Sequence, residues 1–150
     1  MIKTTLSTLA LIFFAGLASF AQFPAKPQLV KDPWTKNQLM APVTLASLIK
    51  NPKAAKPIIF NIGVVENIKG AKNMGGASKK ENLARFKKAL STIPKTSTVV
   101  VYCGCCPFDR CPNIRPAFTA LQAAGFKNGK LLNLPMNIKV DWINKGYPVE

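Results

Sequence analysis

From Val99 to Pro112 the sequence reads Val-Val-Val-Tyr-Cys-Gly-Cys-Cys-Pro-Phe-Asp-Arg-Cys-Pro, and this segment gives the clearest indication of the fold class. Its run of β-branched residues predicts a buried strand that ends at Cys103. A loop follows, and the helical spacing of apolar residues over 117–124 indicates a helix after the loop. A thiol between a strand end and a helix start lies near free backbone amides, which stabilise a thiolate. Cys103 is therefore the predicted nucleophile.

The loop after Cys103 contains the other three of the four cysteines, Cys105, Cys106 and Cys111, and the chain has no histidine. Three accounts of these cysteines stay open. In an oxidising compartment we expect a disulfide from Cys105 or Cys106 to Cys111. The Cys-x-x-Cys spacing of Cys103 and Cys106 is typical of thiol–disulfide exchange. The cluster also offers ligands for a soft metal such as Cu(I) or Zn, although its spacing does not match a zinc ribbon.

The N-terminus has the pattern of a secretory signal peptide over residues 1–21. Lys3 supplies its positive charge, an apolar run follows, and small residues precede a predicted cleavage after Ala21. The apolar run is short for a membrane span. We therefore predict a periplasmic or secreted protein without a stable span after cleavage, with an extended leader over 22–38 and one domain over 39–150.

Alternating strand and helix patterns across this domain indicate the α/β class. We predict strands at 39–40, 57–62, 96–102 and 130–134, a helix over 42–50 and last helical turns over 140–144. Ser78 and Glu81 are predicted to form a capping box at the start of another helix. Short links between strands and helices predict a mostly parallel sheet with helices on both faces.

The chain is strongly basic, with 21 Lys and Arg against 6 Asp and Glu and a formal net charge of +15. These charges are scattered singly or in pairs, without an arginine-rich run. The pattern argues against nucleic-acid binding and favours a solvated basic surface that helps to attract small anions. We predict a monomer.

Three stretches carry a family resemblance, which covers Leu39 to Glu150. Residues 68–74, the strand that ends at Cys103, and residues 120–128 followed by Trp142 and Gly-Tyr-Pro at 146–148 together resemble a single rhodanese domain. The resemblance implies a three-layer domain with a sheet of about five strands. It also implies a sulfurtransferase in which Cys103 carries a persulfide between a small anionic sulfur donor and a thiol acceptor. The loop resembles that of an exported subgroup with a Cys-Gly-Cys-Cys-Pro sequence.

The chain departs from the family pattern next to the site. Asn61, Gly63 and Asn67 stand where the family has an acid, an arginine and a histidine. Without these groups, we expect the chemistry to depend on the thiolate and on fixed positive charge.

The candidates for binding the donor are the loop amides at Gly104 and the guanidinium groups of Arg110 and Arg115. We assign no cofactor and no metal ligand. The rival interpretation is a redox or soft-metal-binding module on the same fold, in which the loop from Cys103 to Cys111 turns over no sulfur.

Overall fold

The computed structural model of the protein describes residues 31–150, so the predicted signal peptide and most of the leader lie outside the described residues. In chain order the elements are β1 (Leu39–Met40), α1 (Pro42–Lys50), β2 (Ile58–Asn61), β3 (Ala71–Asn73), α2 (Lys80–Ser91), β4 (Val99–Tyr102), α3 (Ile114–Ala123), β5 (Gly129–Leu132) and α4 (Ile138–Asp141). Short 3-10 turns lie at Lys36–Gln38, Phe108–Arg110 and Ile143–Lys145.

The five strands form one sheet in the order β1-β5-β4-β2-β3, and every pair in it is parallel. β4 lies at the centre, with β2 on one side and β5 on the other. The predicted α/β class with a central parallel sheet of about five strands is confirmed.

The apolar run in β4 is explained by its burial on both faces of the sheet. Val99 and Val101 join one core cluster, to which α2 and α3 contribute, whereas Val100 and Tyr102 join a second cluster, to which α1 and α4 contribute. All four side chains are 0% exposed. Helices therefore cover both faces, and the domain has three layers.

Most predicted elements agree with the structure, but the capping box at the start of α2 is wrong. The helix begins at Lys80 after Lys79, and no side chain caps it. The Ser78 backbone N–H instead donates to Asn113 Oδ1 at 2.9 Å. Ser78 is thus tied to the segment before α3 and does not cap its own helix.

The C-terminal residues close over the loop that follows β2. Trp142 is fully buried, its ring lies edge-on to Tyr147, and its Nε1 donates to the carbonyl of Pro148 at 3.0 Å. Val149 pairs with Ile68 in an antiparallel bridge. These contacts fix the segment over 66–69 beside the carboxyl ends of the strands.

Within residues 31–150, no helix combines the length and the apolar character needed to cross a membrane.

Candidate functional site

Cys103 lies at the point where the strand order of the sheet reverses. β2 and β4 are neighbours, but the chain continues from β2 to β3 on one side and from β4 to β5 on the other. In open α/β sheets, the crevice outside the carboxyl ends of two such strands is the usual place for a ligand. Cys103 follows β4, and Gly63 follows β2 by two residues.

Gly63 lies directly against the sulfur of Cys103. A Cβ atom added to Gly63 would be 2.7 Å from Cys103 Sγ and 3.0 Å from the Cys103 carbonyl oxygen. No larger residue fits there unless the sulfur moves. The close approach of Cys103 Sγ therefore explains why position 63 holds a glycine and has no room for an arginine side chain.

Gly104 turns the chain away from the strand. It has a φ of +71°, which favours glycine, and a Cβ atom there would lie 2.8 Å from the Cβ of Ile138. Its carbonyl oxygen accepts the N–H of Ile138 at 2.9 Å. The cysteine loop is thus anchored at its first residue to the start of α4.

The four sulfurs extend from the core to the surface. Cys103 and Cys111 are buried, at 1% and 3% exposure, whereas Cys105 is exposed and Cys106 is intermediate. Cys103 Sγ lies 3.2 Å from Cys105 Sγ, which lies 3.3 Å from Cys106 Sγ. The sulfurs of Cys103, Cys105 and Cys111 all lie within 4.8 Å of one another.

All four cysteines are free thiols in the structure. The disulfide to Cys111 and the exchange between Cys103 and Cys106 stay predictions. Cys103 Sγ lies 3.2 Å from Cys105 Sγ, a pair of thiols that neither prediction includes.

Asn113 connects the sulfur cluster to the neighbouring loop. It is 4% exposed, and its Oδ1 accepts the Ser78 N–H, which turns its Nδ2 toward the cysteines. Nδ2 donates to Cys103 Sγ at 3.3 Å and to Cys105 Sγ at 3.9 Å. The residue therefore supplies a buried, oriented donor that stabilises negative charge on sulfur.

The thiols of Cys103 and Cys111 shift each other's pKa in opposite directions. The pKa of its thiol is lowered to about 5, first by the Cys103 thiol and then by the backbone N–H groups of Asn113 and Ile114, although burial acts in the opposite direction. The pKa of Cys103 is raised, first by the neighbouring Cys111 and then by burial. This is opposite to the lowered pKa that the sequence predicts for Cys103, because Cys111 reaches the first amides of α3.

Cys106 has a raised pKa as well, at about 12. Burial is the largest cause, followed by the neighbouring Cys105 thiol. Cys106 is therefore a neutral thiol at physiological pH.

The two candidate arginines lie in different surroundings. The Arg110 side chain is 82% exposed, and its Nε lies 3.6 Å from Asp109. Arg115 donates to Asp32 Oδ1 at 2.7 Å and to the carbonyl of Phe108 at 3.0 Å. Among the described residues, neither guanidinium donates a hydrogen bond to a cysteine sulfur, and Arg115 is already engaged by the leader.

Two buried asparagines that the sequence does not identify as site residues, Asn61 and Asn113, lie at the site. Asn61 shapes the loop after β2, because its Nδ2 donates to the carbonyl of Val65 at 2.8 Å and its Oδ1 accepts the N–H of Gly63 at 3.0 Å. Asn113 lies directly before α3, and its side chain donates to Cys103 and Cys105. The sequence feature that could have identified both residues is an asparagine at the edge of an apolar element. An amide buried at such a position requires hydrogen-bond partners.

Comparisons of the chain with protein-family models, with curated proteins and with solved structures find no match. The likeness to the rhodanese family thus rests on the sequence motifs, and what it implies about activity is a proposal.

Proposed function

We propose that the protein is an exported sulfurtransferase of the rhodanese type, which carries a sulfane sulfur as a persulfide on Cys103. The observation that carries the proposal is the position of this thiol. It lies at the carboxyl end of the central strand, at the reversal of strand order, with the Asn113 amide donating to its sulfur. An oriented donor at this position stabilises both the thiolate and the persulfide anion.

The proposed reaction has two displacement steps at sulfur. When the loop has moved aside, the Cys103 thiol loses its proton to the solvent that enters, and the thiolate attacks the outer sulfur of a donor such as thiosulfate. The S–S bond of thiosulfate breaks, and sulfite leaves with the electron pair. A thiolate acceptor then attacks the outer sulfur of the persulfide and releases Cys103 as a thiolate. No external oxidant or reductant is consumed.

Access to Cys103 requires a movement in the loop. The residue is 1% exposed, and the exposed Cys105 has its sulfur 3.2 Å away. Cys105 belongs to no helix or strand, so its side chain is free to turn aside for a donor. Gly104 is held by the hydrogen bond from the Ile138 N–H to its carbonyl oxygen. We therefore expect the movement to involve the loop residues after Gly104.

The test is the intact mass of the full chain after reduction, removal of the reductant and incubation with thiosulfate. We expect a gain of one sulfur atom, which a thiol reductant removes again. The Cys103→Ser variant should gain none, whereas Cys106→Ser, altered three residues away, should gain one as the wild type does.

Two results would contradict the proposal. One is a wild-type mass that thiosulfate leaves unchanged. The other is a sulfur gain that survives in Cys103→Ser and disappears in Cys111→Ser, because the carrier would then be the thiol at the start of α3.

A further inference from the structure

We propose that Cys103, Cys105 and Cys111 form a three-coordinate binding site for a soft monovalent metal ion, Cu(I). Their three sulfurs lie within 4.8 Å of one another. Sulfur transfer on Cys103 does not require a metal ion at these cysteines. This inference therefore goes beyond the proposed function and does not depend on it.

The separations between the sulfurs fit one central ion. A metal–sulfur bond of about 2.3 Å in a trigonal plane sets the sulfurs about 4.0 Å apart. The sulfurs of Cys103 and Cys105 lie 3.2 Å apart, and none of the three separations exceeds 4.8 Å. Shifts of less than about 1 Å therefore bring all three to bonding distance, and side-chain rotations of this size need no change in the fold.

The donor set favours Cu(I) over Zn(II). Thiolates are soft ligands that both metals accept, but structural zinc sites in proteins are almost always four-coordinate. The chain contains no histidine, and Cys106 is not one of the residues whose sulfurs converge. Among residues 31–150 no fourth ligand joins these three thiolates, and such a set suits a copper ion of low coordination number.

The surroundings supply what a bound ion requires. Cys103 and Cys111 are buried in the core cluster, which keeps water from two of the ligands. Asn113 Nδ2 donates hydrogen bonds to the sulfurs of Cys103 and Cys105 and fixes their orientation. The exposed Cys105 provides the entry path, and the basic chain offsets the negative charge of three thiolates around one monovalent ion.

Bound copper and a persulfide exclude each other, because both use the sulfur of Cys103. Copper-loaded protein should therefore gain no sulfur from thiosulfate. The metal would act as a reversible block on any transfer reaction at this thiol.

The test is an anaerobic titration of the reduced full chain with Cu(I), delivered from a chromogenic bicinchoninate complex and followed by absorbance and native mass. We expect one copper per chain. The decisive pair of variants is Cys105→Ser and Cys106→Ser, because neither side chain is buried and their backbones are adjacent. Cys105→Ser should weaken binding at least about tenfold, and Cys106→Ser should leave the affinity unchanged.

Several outcomes would overturn the site. These are no copper uptake against the competitor, equal losses in the Cys105 and Cys106 variants, and tighter retention of Zn(II) than of Cu(I). Cys103→Ser and Cys111→Ser should also lose the metal, and circular dichroism will show whether these buried variants are folded. Since the readout is metal content, failure here is distinct from failure of sulfur transfer.

Discussion

Gly63 shows how one residue controls the reacting sulfur, since a single added carbon atom would lie 2.7 Å from Cys103 Sγ. In Gly63→Ala the sulfur must move from its place beside the Asn113 amide. We expect sulfur gain from thiosulfate to slow at least about tenfold, and the free energy of unfolding to fall by about 1–3 kcal/mol from overpacking. Mass-resolved kinetics and urea unfolding measure the two effects.

The matched control for this residue is Gly70→Ala. Gly70 has a φ of +79°, and nothing lies within 4 Å of an added Cβ atom. The variant should lose about 1 kcal/mol of stability from backbone strain while its Cys103 reacts at the wild-type rate. Equal sulfur-gain rates in the two variants would show that Gly63 does not restrict the sulfur.

At the scale of elements, the end of the leader is part of the support for the cysteine loop. The Trp34 ring packs edge-on against Phe108 of the loop and Phe118 of α3, each with ring centroids 5.8 Å apart. Asp32 pairs with Arg115 at 2.7 Å. The chain before β1 therefore packs on the same helix whose first amides hold Cys111.

Replacing this aromatic anchor should loosen the loop without removing a cysteine. For Trp34→Ala, we expect a loss of about 1–3 kcal/mol in the free energy of unfolding and faster alkylation of Cys111 by iodoacetamide, because a half-buried aromatic contact is lost. Peptide-resolved labelling and urea unfolding measure both. Val64→Ala, at a residue that is 77% exposed, should change neither quantity. Unchanged labelling in Trp34→Ala would show that the leader does not support the loop.

The elements also show what the sequence could and could not predict. The bounds of α1 and the end of β4 directly before Cys103 were predictable, because apolar periodicity and the placement of proline are local signals. The contact between Gly63 and Cys103 was not, since it depends on how β2 pairs with β4. The bond from Ser78 to Asn113 joins two loops 35 residues apart, and no local pattern contains it. The lowered pKa of Cys111 depends on its contact with the Cys103 thiol and then on the first amides of α3, and the spacing of the cysteines alone predicts neither contact.

For the whole molecule, the net charge of +15 gives the proposed anionic donor a long-range attraction that no single contact provides. Arg110 is the basic residue of the cysteine loop, and 82% of its side chain is exposed. We therefore expect Arg110 to increase the rate at which the anionic donor reaches the site, and we expect salt to screen this attraction.

We expect sulfur gain from thiosulfate to slow by about tenfold between low and physiological ionic strength, because the Debye length shortens from about 30 Å to about 8 Å. Arg110→Ala should be slower than the wild type at low salt and nearly equal to it at high salt. The control is alkylation of Cys105 by neutral iodoacetamide, which should depend little on salt or on the variant. A rate independent of ionic strength would mean that the donor is bound by the loop amides alone, and that the surplus of lysine and arginine serves only to solvate the surface.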